Sequence, residues 1–411
     1  MTTNTKQLNR RQFVCLILLL GTASKIIALP TVLADAAGKD AWISALLDTA
    51  LFCVPLALIL AAYILARGKS LDEVFNKTAG AWVAKTVYAL LFLVFVAHTA
   101  MQCGENRAFL DTALYTGAPW ALYSVPLILL LAFAAYKGLN GLGRFAELLV
   151  PLALAALVCT ALSAFSNYRF YRVLPVLERG FRPVWRGALD GMFWYAEELC
   201  LLLFLGEVDG VDGAGIAGSG RRLPSRAGAP KKQESELLNS QFSILNSRKG
   251  FARAAFIAYA AAGLAVAGFM AAFLMLFGTI AGRHDFGGAL SGFADLAFTS
   301  GAGKLGGLFS AVWLAATLLK MAVTFFCAHE CLLRLFKPKN AYFTLIPLAA
   351  FTWVFNNFIV PDLETVKFWV SAYSVYVVPA VTLAIPAACL LCAALYKRKV
   401  RKGNGELRME N

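Results

Sequence analysis

Long apolar runs separated by short polar breaks dominate the chain. A helix needs about 20 apolar residues to cross a bilayer core. Ten segments come near that length or exceed it, at 12–33, 41–66, 84–109, 120–137, 144–166, 187–206, 252–279, 304–334, 341–361 and 366–396. The pattern predicts an all-α integral membrane protein with ten transmembrane helices. Several runs exceed 25 residues, as tilted or interior helices do. Residues 1–206 then hold the first six helices, 251–396 helices seven to ten, and 397–411 a basic cytoplasmic tail. Between them, 207–250 is rich in Gly, Ser, Asn, Lys and Arg and is expected to be a disordered cytoplasmic insertion.

Composition points the same way. Hydrophobic residues make up 59% of the 411 and charged residues 15%, against roughly half and a quarter in soluble domains. An ordinary soluble enzyme is excluded. Lys and Arg number 38 and Asp and Glu 24, for a net charge of +14. In a soluble protein that excess would suggest nucleic acid. Here the bases lie mostly between apolar spans, so they report topology, and no nucleic-acid partner is expected. With the N-terminus placed inside, the inner segments hold 26 Lys and Arg and the outer loops ten, which predicts both termini in the cytoplasm. The outer loop 166–186 departs from this bias, with Arg169, Arg172, Arg179, Arg182 and Arg186, and reads as a surface for a partner or an anion.

Several familiar patterns do not carry chemistry here. Asn9-Arg10-Arg11-Gln12-Phe13 imitates a twin-arginine signal and Ala34-Asp35-Ala36 a cleavage site, but nine further spans favour a first membrane helix with positive inner flanks. The nine cysteines all lie in apolar runs, so no disulfide framework is expected. Gly213-Ala214-Gly215-Ile216-Ala217-Gly218 is a literal GxGxxG without the strand and helix a dinucleotide site needs. GxSxG, HExxH and Walker motifs are absent, and three His residues on separate segments have no zinc spacing. Binding or transport is therefore expected rather than catalysis, with no cofactor and no metal.

Polar groups at membrane depth are costly unless paired or hydrated, so each marks a candidate site. Span 1 carries Gly21-Thr22-Ala23-Ser24-Lys25 in mid-run. Such a stretch either unwinds to offer backbone groups to a substrate or forms a packing notch. Span 6 carries Phe193-Trp194-Tyr195-Ala196-Glu197-Glu198. Adjacent helical residues diverge by about 100°, so the two carboxylates cannot share one direction. Glu197 is the candidate to face water or a basic partner. Lys320 lies midway along span 8, placed to neutralise Glu197, to stand where a coupling cation would sit, or to hold helices together. His98 and Gln102 share a face of span 3 at a spacing of four.

Several motifs in order resemble one family. Gly38-Lys39-Asp40-Ala41-Trp42-Ile43-Ser44 resembles its Gly-x-Asp-Ala-Trp-Ile-Ser at the start of span 2. Gly138-Leu139 with Arg144, Glu147 and Pro151 resembles its entry to span 5. Leu174-Pro175 with Gly180, Pro183 and Gly187 resembles its loop before span 6. Phe193 and Glu197 resemble the ends of a Phe-Pro-Phe-Gly-Glu motif, and Lys320 with Phe325 a Lys-Ile-x-x-Phe-like pattern. The family is that of spore-germination permeases, the membrane-embedded B subunits of nutrient germinant receptors, in the amino acid–polyamine–organocation transporter superfamily. The likeness covers the chain apart from 207–250.

The resemblance implies two inverted five-helix repeats with spans 1 and 6 discontinuous at a central site. It also implies a small-molecule germinant, an amino acid in this reading, with an A subunit and a lipoprotein C subunit as partners in the cell or inner spore membrane. Gly21, Thr22, Ser24, His98, Gln102, Phe193, Trp194, Tyr195, Glu197 and Lys320 are the expected substrate-binding residues. A proton-coupled amino acid transporter of the same fold is the rival function. Trp194 and Ala196 stand where the family has Pro and Gly, and both favour continuous helix.

Overall fold

The computed structural model describes residues 8–66, 69–113, 120–204, 231–279, 303–359 and 363–409. The GxGxxG at 213–218 and the first part of the expected insertion lie outside the described residues.

The first helix, α1, runs Arg10–Ala37. Asn9 sets its start through a capping box. The Asn9 side chain accepts from the Arg11 N–H at 3.4 Å, and Gln12 Oε1 accepts from the Asn9 N–H at 3.2 Å. Arg11 pairs with Glu147 at 2.9 Å, so the twin-arginine lookalike is a helix start packed on a later span. A 3-10 turn at Gly38–Asp40 leads into α2, Ala41–Leu65. A short amphipathic α3, Leu71–Thr78, precedes α4, Ala81–Ala113.

Next, α5, Trp120–Ser163, is two helices meeting at a kink. Gly138 sits at the kink with φ 76° and ψ 177°, backbone that a side chain would strain. Beyond it come α6, Arg182–Gly191, a 3-10 segment, Met192–Leu199, and α7, Cys200–Phe204. The last four helices are α8, Lys231–Phe277, α9, Gly303–Phe336, α10, Tyr342–Val354, and α11, Leu363–Met409.

Among the described residues, seven helices are long and apolar enough to cross a membrane. Two of them, Arg10–Leu65 with 56 residues and Tyr123–Ser163 with 41, exceed one crossing and divide at the Gly38 turn and the Gly138 kink. The sixth expected span is absent from the seven because it is interrupted. The chain is a multi-pass helical membrane protein.

Three features differ from the sequence pattern. Helix α8 begins at Lys231, inside the stretch read as a loop, because 231–249 contains neither Gly nor Pro and is rich in helix formers. Helix α11 continues through the basic tail to Met409. Most relevant to the site, α1 is unbroken through Gly21–Ser24. A discontinuous span 1 is thus corrected to a continuous helix with a notch. A β-carbon on Gly21 would stand 2.6 Å from the Ala262 β-carbon of α8, so the small residue permits close helix packing rather than unwinding.

The Gly-Lys-Asp-Ala-Trp motif has a visible role. Asp40 Oδ1 accepts from the Leu177 N–H at 2.9 Å, and Ser44 Oγ donates to the Val184 carbonyl at 3.0 Å. Lys39 pairs with Glu178 and holds that carboxyl below its ordinary range. The motif therefore ties the head of α2 to the loop before α6. Two of the five loop arginines have side-chain partners among the described residues: Arg172 donates to the Met275 and Leu276 carbonyls at the end of α8, where a cation complements the helix terminus, and Arg186 lies 3.9 Å from the Asp190 carboxylate. Asp40→Ala is expected to cost about 1–3 kcal/mol, the penalty for an unmet buried donor. Hydrogen exchange at the Leu177 amide should accelerate; unchanged protection there would show that the tie is dispensable.

Candidate functional site

The site centres on the 3-10 segment Met192–Leu199. Runs beyond three or four residues are uncommon in this geometry, and this one has eight. Three consecutive aromatics, which lose rotamer freedom in an α-helix, follow Gly191 here. At three residues per turn, positions i and i+3 eclipse. Trp194 and Glu197 therefore share one side and face α4, where Trp194 Nε1 donates to Glu105 Oε1 and Gln102 Nε2 donates to Glu197 Oε1, each at 2.7 Å. Tyr195 and Glu198 share another side and face Lys25 of α1 and Tyr259 of α8. Phe193 stacks on the His98 ring at 4.2 Å, with Tyr373 of α11 edge-on.

Glu197 is the centre of a buried network. Its Oε2 lies 2.6 Å from Lys320 Nζ, with side-chain exposures of 2% and 0%. Lys320 also donates to Ser24 Oγ at 2.5 Å. The chain of contacts continues through Thr324, which donates to Gln102 Oε1 at 3.3 Å and accepts from Thr99 at 3.0 Å. Asn106 donates to the Gln102 carbonyl at 2.9 Å, and Thr317 donates to Asn106 Oδ1 at 2.8 Å. Helices α1, α4 and α9 and the 3-10 segment thus meet on one charged pair.

Ser24, Gln102, Glu197 and Lys320 are in direct contact. Phe193, Trp194, Tyr195 and His98 surround them. Gly21 lines a narrow cavity beside Glu197. Thr22 is not brought into the site: its hydroxyl donates back to the Leu18 carbonyl at 2.8 Å, on a partly exposed side of α1. With α1 continuous, its N–H groups are engaged in the helix and are not offered to a substrate.

Sequence reasoning missed Asp48, Glu105, Asn106, Tyr259, Thr317 and Thr324 as members of the buried set, whereas Lys25 and Glu198 were in view as charges at membrane depth. A signal was present in spacing. His98, Gln102, Glu105 and Asn106 form a polar stripe on α4, as do Thr317, Lys320 and Thr324 on α9 and Ser44 with Asp48 on α2.

Comparison with known proteins bears on the family and the fold. Residues 7–211, about half of the chain, match the family described as spore germination protein. The chain belongs to the spore germination protein family. No curated protein sequence matches it. Among solved structures it is similar to a mutant of the Eremococcus coleocola manganese transporter, with TM-score 0.59 and 12% identity over 93% of this chain and 78% of that one. It is also similar to MhsT in complex with L-phenylalanine, with TM-score 0.55 and 15% identity over 93% and 95%. A third is Mhp1, a nucleobase-cation-symport-1 family transporter, closed with bromovinylhydantoin bound, with TM-score 0.52 and 11% identity over 98% and 94%. At these identities the likeness is one of fold, that of transporters built from inverted repeats. Among the described residues of this germination-family chain, the long 3-10 interruption falls at the segment where the buried charges converge.

Proposed function

We propose that this chain is the nutrient-binding permease subunit of a germinant receptor. A small nutrient, an amino acid in this reading, binds at mid-membrane beside the 3-10 segment. The supporting observation is the buried network around Glu197, which joins four elements of a germination-family chain at a helix interruption. The cavity beside it is narrow, so entry of a ligand must move the elements that line it. A ligand shifts such an equilibrium only by binding one state better than the other. An A subunit and a lipoprotein C subunit read that shift, with the chain in the cell or inner spore membrane and both termini cytoplasmic. The first part of the expected insertion, 207–230, stands outside this machinery.

The test is thermal stabilisation of the detergent-purified full chain by the twenty amino acids, simple sugars and nucleosides. A ligand at 100 times its Kd stabilises by about 2.7 kcal/mol. At least one compound should raise the midpoint. Failure of all of them removes the nutrient-binding reading for this subunit. The second reading, a proton-coupled amino acid transporter, is favoured by the fold shared with solved transporters. Proton-driven accumulation of the stabilising compound in proteoliposomes would select it; binding without accumulation selects the receptor.

A further inference from the structure

The Glu197–Lys320 pair already has its partners, so it is poorly placed to receive a charged ligand. A second set of groups lacks hydrogen-bond partners among the described residues. The cavity between α1, α8 and the 3-10 segment is lined by Gly21, Lys25, Tyr195, Glu197, Glu198 and Tyr259, with apolar walls otherwise. Lys25 is fully buried, and its Nζ rests 3.5 Å from the centre of the Tyr195 ring and 5.6 Å from that of Tyr259. It makes no hydrogen bond among the described residues. Both Glu198 oxygens and the Tyr259 hydroxyl are buried without a hydrogen-bond partner among the described residues, and the two side chains line the same cavity.

Each such group carries an unmet desolvation cost. An ammonium, a carboxylate and a phenol in that condition around one cavity describe the complement of a ligand. We propose that Lys25 and Glu198 are the ligand-contacting charges, Lys25 taking the carboxylate and Glu198 the ammonium of a zwitterionic amino acid. This rests on the nutrient-binding reading above and deepens it. Lys25 and Glu198 together carry no net charge, and neither does a zwitterion. Binding therefore satisfies both groups without adding charge to a low-dielectric interior. A sugar or nucleoside would leave the ammonium without a counter-charge. Tyr195 holds Lys25 in the unliganded state through the cation–π contact, and Glu197 with Lys320 positions the surrounding elements.

The experiment uses the purified full chain and its Lys25→Met and Glu198→Gln variants. The probes are each L-amino acid, the corresponding amino acid amide and N-acetyl amino acid, glucose and adenosine, read by thermal stabilisation. The expected result is stabilisation by at least one free amino acid. Its amide and its N-acetyl form should bind at least about tenfold more weakly, and each variant should lose a similar factor for the free amino acid, as for a charged hydrogen bond. The two analogues decide the matter on the unaltered chain even where a variant fails to fold. Equal stabilisation by an amino acid and its amide or N-acetyl form overturns the assignment, as does undiminished binding in both variants. Stabilisation by glucose or adenosine alone overturns it while leaving nutrient binding intact. No stabilisation by any probe overturns both.

Discussion

Replacing Lys320 by Met alone is expected to destabilise the protein by about 3–5 kcal/mol, the usual cost of stranding one member of a buried ion pair. Glu197 would keep only the Gln102 donor, and Ser24 would lose its bond across from α9. Combining Lys320→Met with Glu197→Gln removes the stranded charge. The double variant should therefore recover most of the loss, giving a strong favourable coupling in a double-mutant cycle. Unfolding of the purified protein in detergent measures all four corners. Additive losses would mean that the 2.6 Å contact does not organise this region. The prediction bears on function because the pair ties two elements that line the cavity, α1 and the 3-10 segment, to α4 and α9.

Two glycines on α8 should respond with opposite signs to the same substitution. Glycine within a helix usually costs about 0.5–1 kcal/mol relative to alanine. At Gly268 nothing lies within 4 Å of an added β-carbon, so Gly268→Ala should be neutral or stabilising by that amount. At Gly263 an added β-carbon would fall inside the Thr49 side chain of α2, with Thr49 Cβ itself 2.8 Å away. Overpacking of this kind costs about 1–3 kcal/mol and occasionally more. Gly263→Ala should therefore lower the thermal midpoint, and Gly263→Leu should lower it further. Gly21→Ala on α1 should behave like Gly263→Ala, since its β-carbon would meet Ala262. A stabilised Gly263→Ala variant would show that α2 and α8 do not approach as closely as this fold requires.

These glycines also show what the sequence could and could not reveal. Apolar run length identified the membrane helices because bilayer thickness fixes it. Connections between runs were clear where Gly38 and Gly138 stand, since a turn needs backbone that few other residues adopt. The run Gly21-Thr22-Ala23-Ser24 was ambiguous, because small residues serve unwinding and close packing alike. The partner that decides between them, Ala262, lies far along the chain. Trp194 and Ala196 favoured continuous helix in span 6, yet Met192–Leu199 winds as 3-10. Bonds from α4 and α9 to Trp194 and Glu197 reward that tighter winding, and tertiary contacts of this kind override local propensity. Glu105 did not stand out in the sequence, and its bond to Trp194 draws it into the site. Lys25 and Glu198 were visible as charges in apolar runs. Only the fold shows that they face the same cavity.

The most direct test of nutrient binding at the 3-10 segment is a structure of the full chain determined with a stabilising amino acid bound. The account predicts ligand density between α1, α8 and Met192–Leu199, within hydrogen-bond reach of Lys25 and Glu198, with the Glu197–Lys320 pair still formed or displaced as a unit. Density at another surface, or an unchanged empty cavity at saturating ligand, would contradict it.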